Sequence, residues 1–194
     1  MTTFLKGPHV SMRPVAQTDL PLLAKWINDP EVRIYLGTVK PITLEDEAAW
    51  YKALQGRSDT NIVLVIEVDG KPIGNMGIHR INAVSGTAET GALIGEKEYW
   101  GKGFGKEAKM LLLYHAFHTL NLRKINSRVF AYNKRSVAYS LASGYKEEGR
   151  LIDQHFRDGR YWDEVILSIF REDWEPRWLA FKEEHGIVTI PTEA

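Results

Sequence analysis

The sequence predicts an α/β fold, a single domain whose mixed, mostly antiparallel sheet is flanked by helices, and three observations lead there. The chain has 194 residues, 44% hydrophobic and 26% charged, enough for one sizeable core and too few for two. Period-2 apolar runs and 3.6-period segments follow one another as strand, two helices, three strands, helix, strand, helix, two strands. Two strand pairs are joined through Asp-Gly, the turn chemistry of antiparallel hairpins.

Val10 to Val15 opens the order as a short strand. Thr18 is placed to cap a helix through Leu20, Leu22, Leu23, Trp26 and Ile27, which Asn28, Asp29 and Pro30 stop. Thr43 caps a second helix, with Glu45, Asp46 and Glu47 in its first turn and an apolar face of Ala49, Trp50, Ala53 and Leu54. Asn61 to Val68 and Pro72 to Ile81 form a hairpin through Asp69 and Gly70, and Thr87 to Ile94 adds a strand. Lys106 to Leu120 is apolar over much of its circumference at Ala108, Leu111, Leu112, Ala116 and Phe117, so it is expected as a buried helix on the sheet. Lys124 to Ala131 is a strand, Lys134 to Ser143 a helix ended by Gly144, and Glu147 to Asp153 with Tyr161 to Phe170 a last pair joined through Asp158 and Gly159. Trp174, Trp178 and Phe181 at helical spacing predict a docking helix in the tail, and Ile190 to Ala194 a polar, disordered end.

Composition excludes several classes of function. Twenty-five basic residues balance twenty-five acidic ones, so no global field draws the protein to nucleic acid or to an anionic membrane. The absence of cysteine removes disulfides, thiolate metal sites and a cysteine nucleophile. No leader-like or membrane-spanning apolar run is present, and a cytoplasmic location is the expectation. His115 and His118 stand three apart on the long helix, but no third ligand is evident, so no metal is expected. Trp26, Trp50 and Tyr51 are expected as core aromatics that could also wall a groove, and Glu31, Asp46 and Asp163 as solvated carboxylates that could attract a cation.

The segment Tyr99 to Lys106 reads Tyr-Trp-Gly-Lys-Gly-Phe-Gly-Lys, between an apolar strand and a long apolar helix. Its glycines permit tight turns with successive N–H groups on one side, and the helix start adds the positive end of its dipole. A P-loop is excluded because Glu107 stands where a hydroxyl must follow Gly-Lys. A dinucleotide fingerprint over Gly103, Gly105 and Ala108 lacks the acidic residue that should end the next strand. An acyl-CoA loop, which holds a diphosphate on amides at a helix start with the pantetheine beside the preceding strand, fits both flanks.

With this loop in place, the chain resembles the GNAT N-acetyltransferases, particularly their RimJ/RimL-like branch, over about Ser11 to Trp174. The motifs that carry the resemblance are Ala88-Glu89-Thr90-Gly91, the glycine loop, Asn133-Lys134-Arg135-Ser136, Gly144-Tyr145 and Asp158-Gly159-Arg160-Tyr161-Trp162-Asp163. Trp100 stands where many members carry Gln or Arg, and Ser140 where many carry a tyrosine, with Tyr139 displaced by one. The resemblance implies a domain over residues 1–175, followed by a helical extension and tail over 176–194. It also implies acetyl-CoA as cosubstrate and transfer of acetyl to a primary amine by direct attack in a ternary complex. The acceptor would be a protein N-terminus, a polyamine or a small-molecule amine, with no nucleic acid or membrane partner, and a homodimer is allowed. Backbone groups at a bulge or splay around Ile94 would meet the thioester and pantetheine. Gly101, Lys102, Gly103, Phe104, Gly105 and Lys106 would hold the diphosphate, joined by Asn133 and Arg135. Ser136 or water would protonate the leaving thiolate, and either Glu89 or His155 would take the amine's proton. The alternative is an acyl-CoA-binding sensor without turnover, and a third reading is a nucleotide-binding module.

Overall fold

The computed structural model describes residues 2–187, and they form one eight-stranded sheet with helices on both faces. The strands are β1 (Leu5–Lys6), β2 (Val10–Pro14), β3 (Ile62–Val68), β4 (Lys71–Asn82), β5 (Thr87–Ile94), β6 (Lys124–Phe130), β7 (Lys146–Arg157) and β8 (Arg160–Phe170). They lie in the order β1-β2-β3-β4-β5-β6-β8-β7, and every neighbouring pair is antiparallel except β5 with β6. The helices are α1 (Leu20–Asn28), α2 (Pro30–Arg33), α3 (Leu44–Gln55), α4 (Phe104–Tyr114), α5 (Lys134–Ala142) and α6 (Arg171–His185). The expected fold class is therefore the observed one.

Strand β3 explains why the sheet is covered twice. Its run Ile-Val-Leu-Val-Ile does not alternate, because both faces are buried. Leu64, Ile66 and Val68 join the core beneath α4 and α6, whereas Val63 and Val65 pack with Leu20, Leu23 and Trp26 of α1. Trp26 reaches the end of β5 because position 95 carries no side chain: a Cβ on Gly95 would lie 2.0 Å from the indole. On the first face Trp174 and Trp178 stack with centroids 5.5 Å apart, and Phe117 lies against Trp174. Removing one such buried indole costs about 3–5 kcal/mol.

Several local expectations change. Thr18 is no cap: it sits within a 3-10 turn, Gln17–Asp19, and Asp19 accepts from the Ala16 N–H and from Arg13 instead. Pro30 ends α1 but also begins α2, capped by Asp29. Thr43 and Asp46 make the reciprocal capping box of α3, yet Ala49 and Ala53 of that helix are exposed and its inward residues are Glu47, Trp50, Tyr51 and Leu54. Helix α4 starts two residues early, at Phe104, and closes in a π turn over His115–Thr119. The two-residue strand β1 was not anticipated. Helix α6 starts at Arg171 and so spans the 175/176 division drawn from the sequence. The expected polar end, Ile190 to Ala194, lies outside the described residues.

Candidate active site

Strands β5 and β6 are parallel neighbours for only three residue pairs, Thr87 with Lys124, Ala88 with Ile125 and Glu89 with Asn126. Beyond Glu89 they part. Strand β5 continues beside β4 in regular register as far as Ile94 opposite Gly74, and just past it the Gly95 and Glu96 N–H groups both donate to the Ile73 carbonyl, so the opening is a splay of β5 from β6 with a bulge-like step at its end. A cavity of about 780 Å³ fills it, reaching from the glycine loop to α1, α2 and α3.

At the loop end the cavity is lined by Ile94, Gly101, Gly103, Gly105 and Lys106. Gly101 and Gly103 have φ of 75° and 89°, left-handed conformations that glycine adopts without strain, and a Cβ at either would meet no protein atom within 4 Å. The first backbone bond of the turn runs from the Glu107 N–H to the Gly103 carbonyl, at 3.1 Å, so the N–H groups ahead of it are the orphan donors of a helix start. A cradle that stays open where side chains would stand, at the positive end of α4, fits a diphosphate. Trp100 fixes the rim by donating from its indole to the Ile94 carbonyl at 2.7 Å, and the Arg135 guanidinium lies 3.9 Å over its ring. Lys102 and Phe104 do not line the cavity with their side chains: Lys102 sits over the Tyr99 ring and Phe104 packs beside it.

Helix α5 supplies one wall. Asn133 caps it, its Oδ1 accepting from the Ser136 N–H at 3.1 Å, which leaves the amide donors of the same side chain for the cavity. Ser136 lines the cavity, and so does Tyr139, whose hydroxyl donates to the Gly105 carbonyl at 3.2 Å. Burial, then the nearby Tyr145, holds the Tyr139 hydroxyl well above its usual range, so it stays protonated. Ser140 is buried away from the cavity. Tyr139, one position from Ser140, is thus the tyrosine that α5 turns into the cavity.

The two candidate bases separate. His155 lines the cavity, edge-on to Phe130, with Nε2 3.3 Å from Glu164 Oε1. Glu164 also accepts from Arg128 at 2.5 Å. Burial raises its pKa, but Arg128 and His155 outweigh burial and hold it below the ordinary carboxylate value. Glu89 is not in the cavity. Alternation along β5 turns it away from its neighbour Thr90, into a shallow side pocket beside His79 and Arg128 where Arg80 pairs with it at 3.1 Å.

Some lining residues escaped the sequence reading. Lys109 of α4 is 2% exposed; its Nζ donates to Thr90 Oγ1 at 2.7 Å, and Thr90 lies 3.0 Å from the Tyr145 hydroxyl. Burial lowers its pKa to about 7. A lysine on an otherwise apolar helix face was the available signal. His79, held below its ordinary value chiefly by burial, and Glu47 also line the cavity. Of the early aromatics Trp50 is a wall, whereas Trp26 is core and donates to Glu96. Glu31 pairs with Lys97, Asp46 caps α3, and Asp163 accepts from the Asp153 N–H, none of them in the cavity. No group of metal-ligating side chains occurs among the described residues. The hairpin of β7 and β8 steadies the acceptor side, since Arg157 donates to the carbonyls of Leu36 and Thr38 ahead of α3.

Residues 9–146 match the family described as the Acetyltransferase (GNAT) domain. The chain is 29% identical to the uncharacterized N-acetyltransferase p20 of Bacillus licheniformis over 86% of its own length and 95% of that protein. It is 27% identical to the spermidine N(1)-acetyltransferase of Escherichia coli K12 over 85% and 88% of the two. Among solved structures, spermidine N-acetyltransferase from Vibrio cholerae in complex with CoA and spermine superposes with a TM-score of 0.80, at 24% identity over 86% of this chain and 98% of that one.

Proposed function

The chain belongs to the GNAT acetyltransferase family, an acetyl-CoA-dependent transferase by that membership, and from this premise we propose that it acetylates a primary amine by direct attack in a ternary complex, within the RimJ/RimL-like branch. The acceptor classes are a protein N-terminus, a polyamine, as in the spermidine N(1)-acetyltransferase it is similar to, or a small-molecule amine. One observation carries the reading: the open glycine turn at the start of α4 and the splay of β5 from β6 border a single cavity that continues to the early helices. The loop amides with Lys106 bind the diphosphate, Asn133 the pantetheine arm, and Arg135 on Trp100 closes the rim. When bound, acetyl-CoA supplies an activated thioester. The chain's own groups supply proton traffic: His155 beside Glu164 takes the amine's proton, and Ser136 returns one to the departing sulfur. Glu89 keeps at most an indirect part through the side pocket it shares with Arg80. The domain over residues 1–175 carries this chemistry, with 176–194 as its extension; homodimer formation and a cytoplasmic location complete the proposal. No helix among the described residues is long and apolar enough to cross a membrane.

The test is thiol release from acetyl-CoA with a panel of amines. Turnover supports transfer, and CoA binding without release for any amine returns the sensor reading. Ser136→Ala is expected to lower kcat about 100-fold with KM for acetyl-CoA unchanged, whereas Tyr139→Phe, which removes only the bond to Gly105, lowers it less than tenfold. The reverse order in steady-state kinetics would transfer the acid role to Tyr139.

A further inference from the structure

Glu47 stands in the first turn of α3, where the sequence reads it with Glu45 and Asp46 as complementing the helix dipole. The structure places it otherwise: it is 5% exposed, it lines the cavity, and no hydrogen bond or ion pair engages its carboxylate among the described residues. Its oxygens are not among the fully buried atoms that lack a partner, so they open onto the cavity, and an unpaired carboxylate in such a largely buried place favours a cation beside it. The cavity's acceptor end is otherwise lined by Ile27, Val32, Tyr35, Leu36 and Trp50, and Arg135, which reaches over the Tyr35 ring, is stacked on Trp100 and makes no ion pair with Glu47.

We propose that Glu47 binds the ammonium of the acceptor, and that the acceptor is a monocationic amine on an apolar or aromatic body and not a polyamine. The inference rests on the acetyl-transfer reading and narrows it. The other carboxylate of the cavity, Glu164, already carries the Arg128 guanidinium on Oε2, with His155 Nε2 3.3 Å from Oε1, so its charge is largely compensated and its pull on a further ammonium is weak. The remaining charged lining is basic: Lys106, Lys109, Arg128 and Arg135. Further ammonium groups of a polyamine would find no free acidic partner there and would meet like charge, which disfavours them. Of the acidic residues nearby on α2 and α3, Glu31 is committed to Lys97 and Asp46 to the α3 cap, and Glu45 is exposed and outside the cavity lining. One free carboxylate in an apolar, aromatic surround selects one positive charge. Burial and the adjacent Asp46 charge both raise the Glu47 pKa, and an ammonium beside it offsets both effects and favours the ionised carboxylate, while His155 remains the group that takes the amine's proton.

The full chain, 2-phenylethylamine and spermidine test this by thiol release and by calorimetric titration of each amine in the presence of CoA. The expected result is a kcat/KM for 2-phenylethylamine at least about tenfold above that for spermidine. Glu47→Gln raises the KM and Kd of 2-phenylethylamine by about tenfold or more, leaves the KM for acetyl-CoA unchanged and does not lower the Tm, because the carboxylate has no protein partner to lose. Glu47→Asp, which keeps the charge on a shorter arm, gives an intermediate amine KM. A preference for spermidine, an unchanged amine KM in folded Glu47→Gln, or turnover of neither amine by a chain that binds acetyl-CoA would overturn it. Failure of the wild-type chain to bind acetyl-CoA would instead defeat the acetyl-transfer reading itself.

Discussion

Gly103→Val raises the KM for acetyl-CoA by about 100-fold or more, because it places a branched side chain where the loop amides must meet an anion. Two losses combine. The left-handed backbone at Gly103 strains any β-branched residue by about 1–3 kcal/mol, and relief of that strain would turn the N–H groups away from their common focus. The added methyls enter the space now open above the loop. Losing two charge-assisted backbone bonds at about 1.5 kcal/mol each is enough for a hundredfold. Gly105→Ala is the control: it sits within α4, its Cβ would touch Ile94 and Tyr139 at an ordinary 3.8 Å, and a KM change below about threefold is expected. Steady-state kinetics with CoA titration measures both, and unaltered cofactor kinetics in Gly103→Val would count against the cradle.

Lys109→Met is expected to stabilise the protein by about 2–4 kcal/mol at pH 7. Burial lowers the folded-state pKa of Lys109 from 10.5 to about 7, whereas the unfolded chain keeps the ordinary value. Between those values the unfolded state holds one more proton, so stability rises with pH across that window. Below pH 7 the full penalty, about 4–5 kcal/mol, is present; above pH 10.5 it vanishes. Met removes the penalty and forfeits the hydrogen bond to Thr90, worth about 1 kcal/mol. Denaturant unfolding of wild type and variant at pH 6, 8 and 10 reads the difference, which should shrink as pH rises. A variant that is less stable than wild type at pH 6 would show that the amine is solvated or paired in solution.

Periodicity made the strands legible. Val63 to Val68 reads as a strand because β-branched residues fill both faces, and Asp69-Gly70 reads as a turn because both residues adopt positive φ. Thr43 was legible as a cap because a hydroxyl ahead of an acidic first turn is a local signal, whereas the return bond from Asp46 was found only in the structure. The inward face of α3 was not, since Glu47 is polar and the pattern assigns polar residues outward; only the cavity gives a charged side chain reason to turn in. Tyr139 escaped because the family pattern puts the tyrosine at 140, whereas a long side chain one position away still reaches Gly105. Glu89 shows the converse. Its motif was readable, but the alternation that buries Ala88 and Thr90 turns it to the opposite face, and Arg80, at φ 52° nine residues away, becomes its partner. Long-range partners of this kind carry no signal in a local window.

The three-pair junction of β5 with β6 leaves the sheet as two leaves, β1 to β5 and β6 with β8 and β7, sewn together along a short spine. Local opening is cheapest where a ladder is shortest. An extended, amide-bearing molecule laid in the gap would act as a splint between the leaves, so that a donor bound there would complete the sheet that the chain alone leaves open.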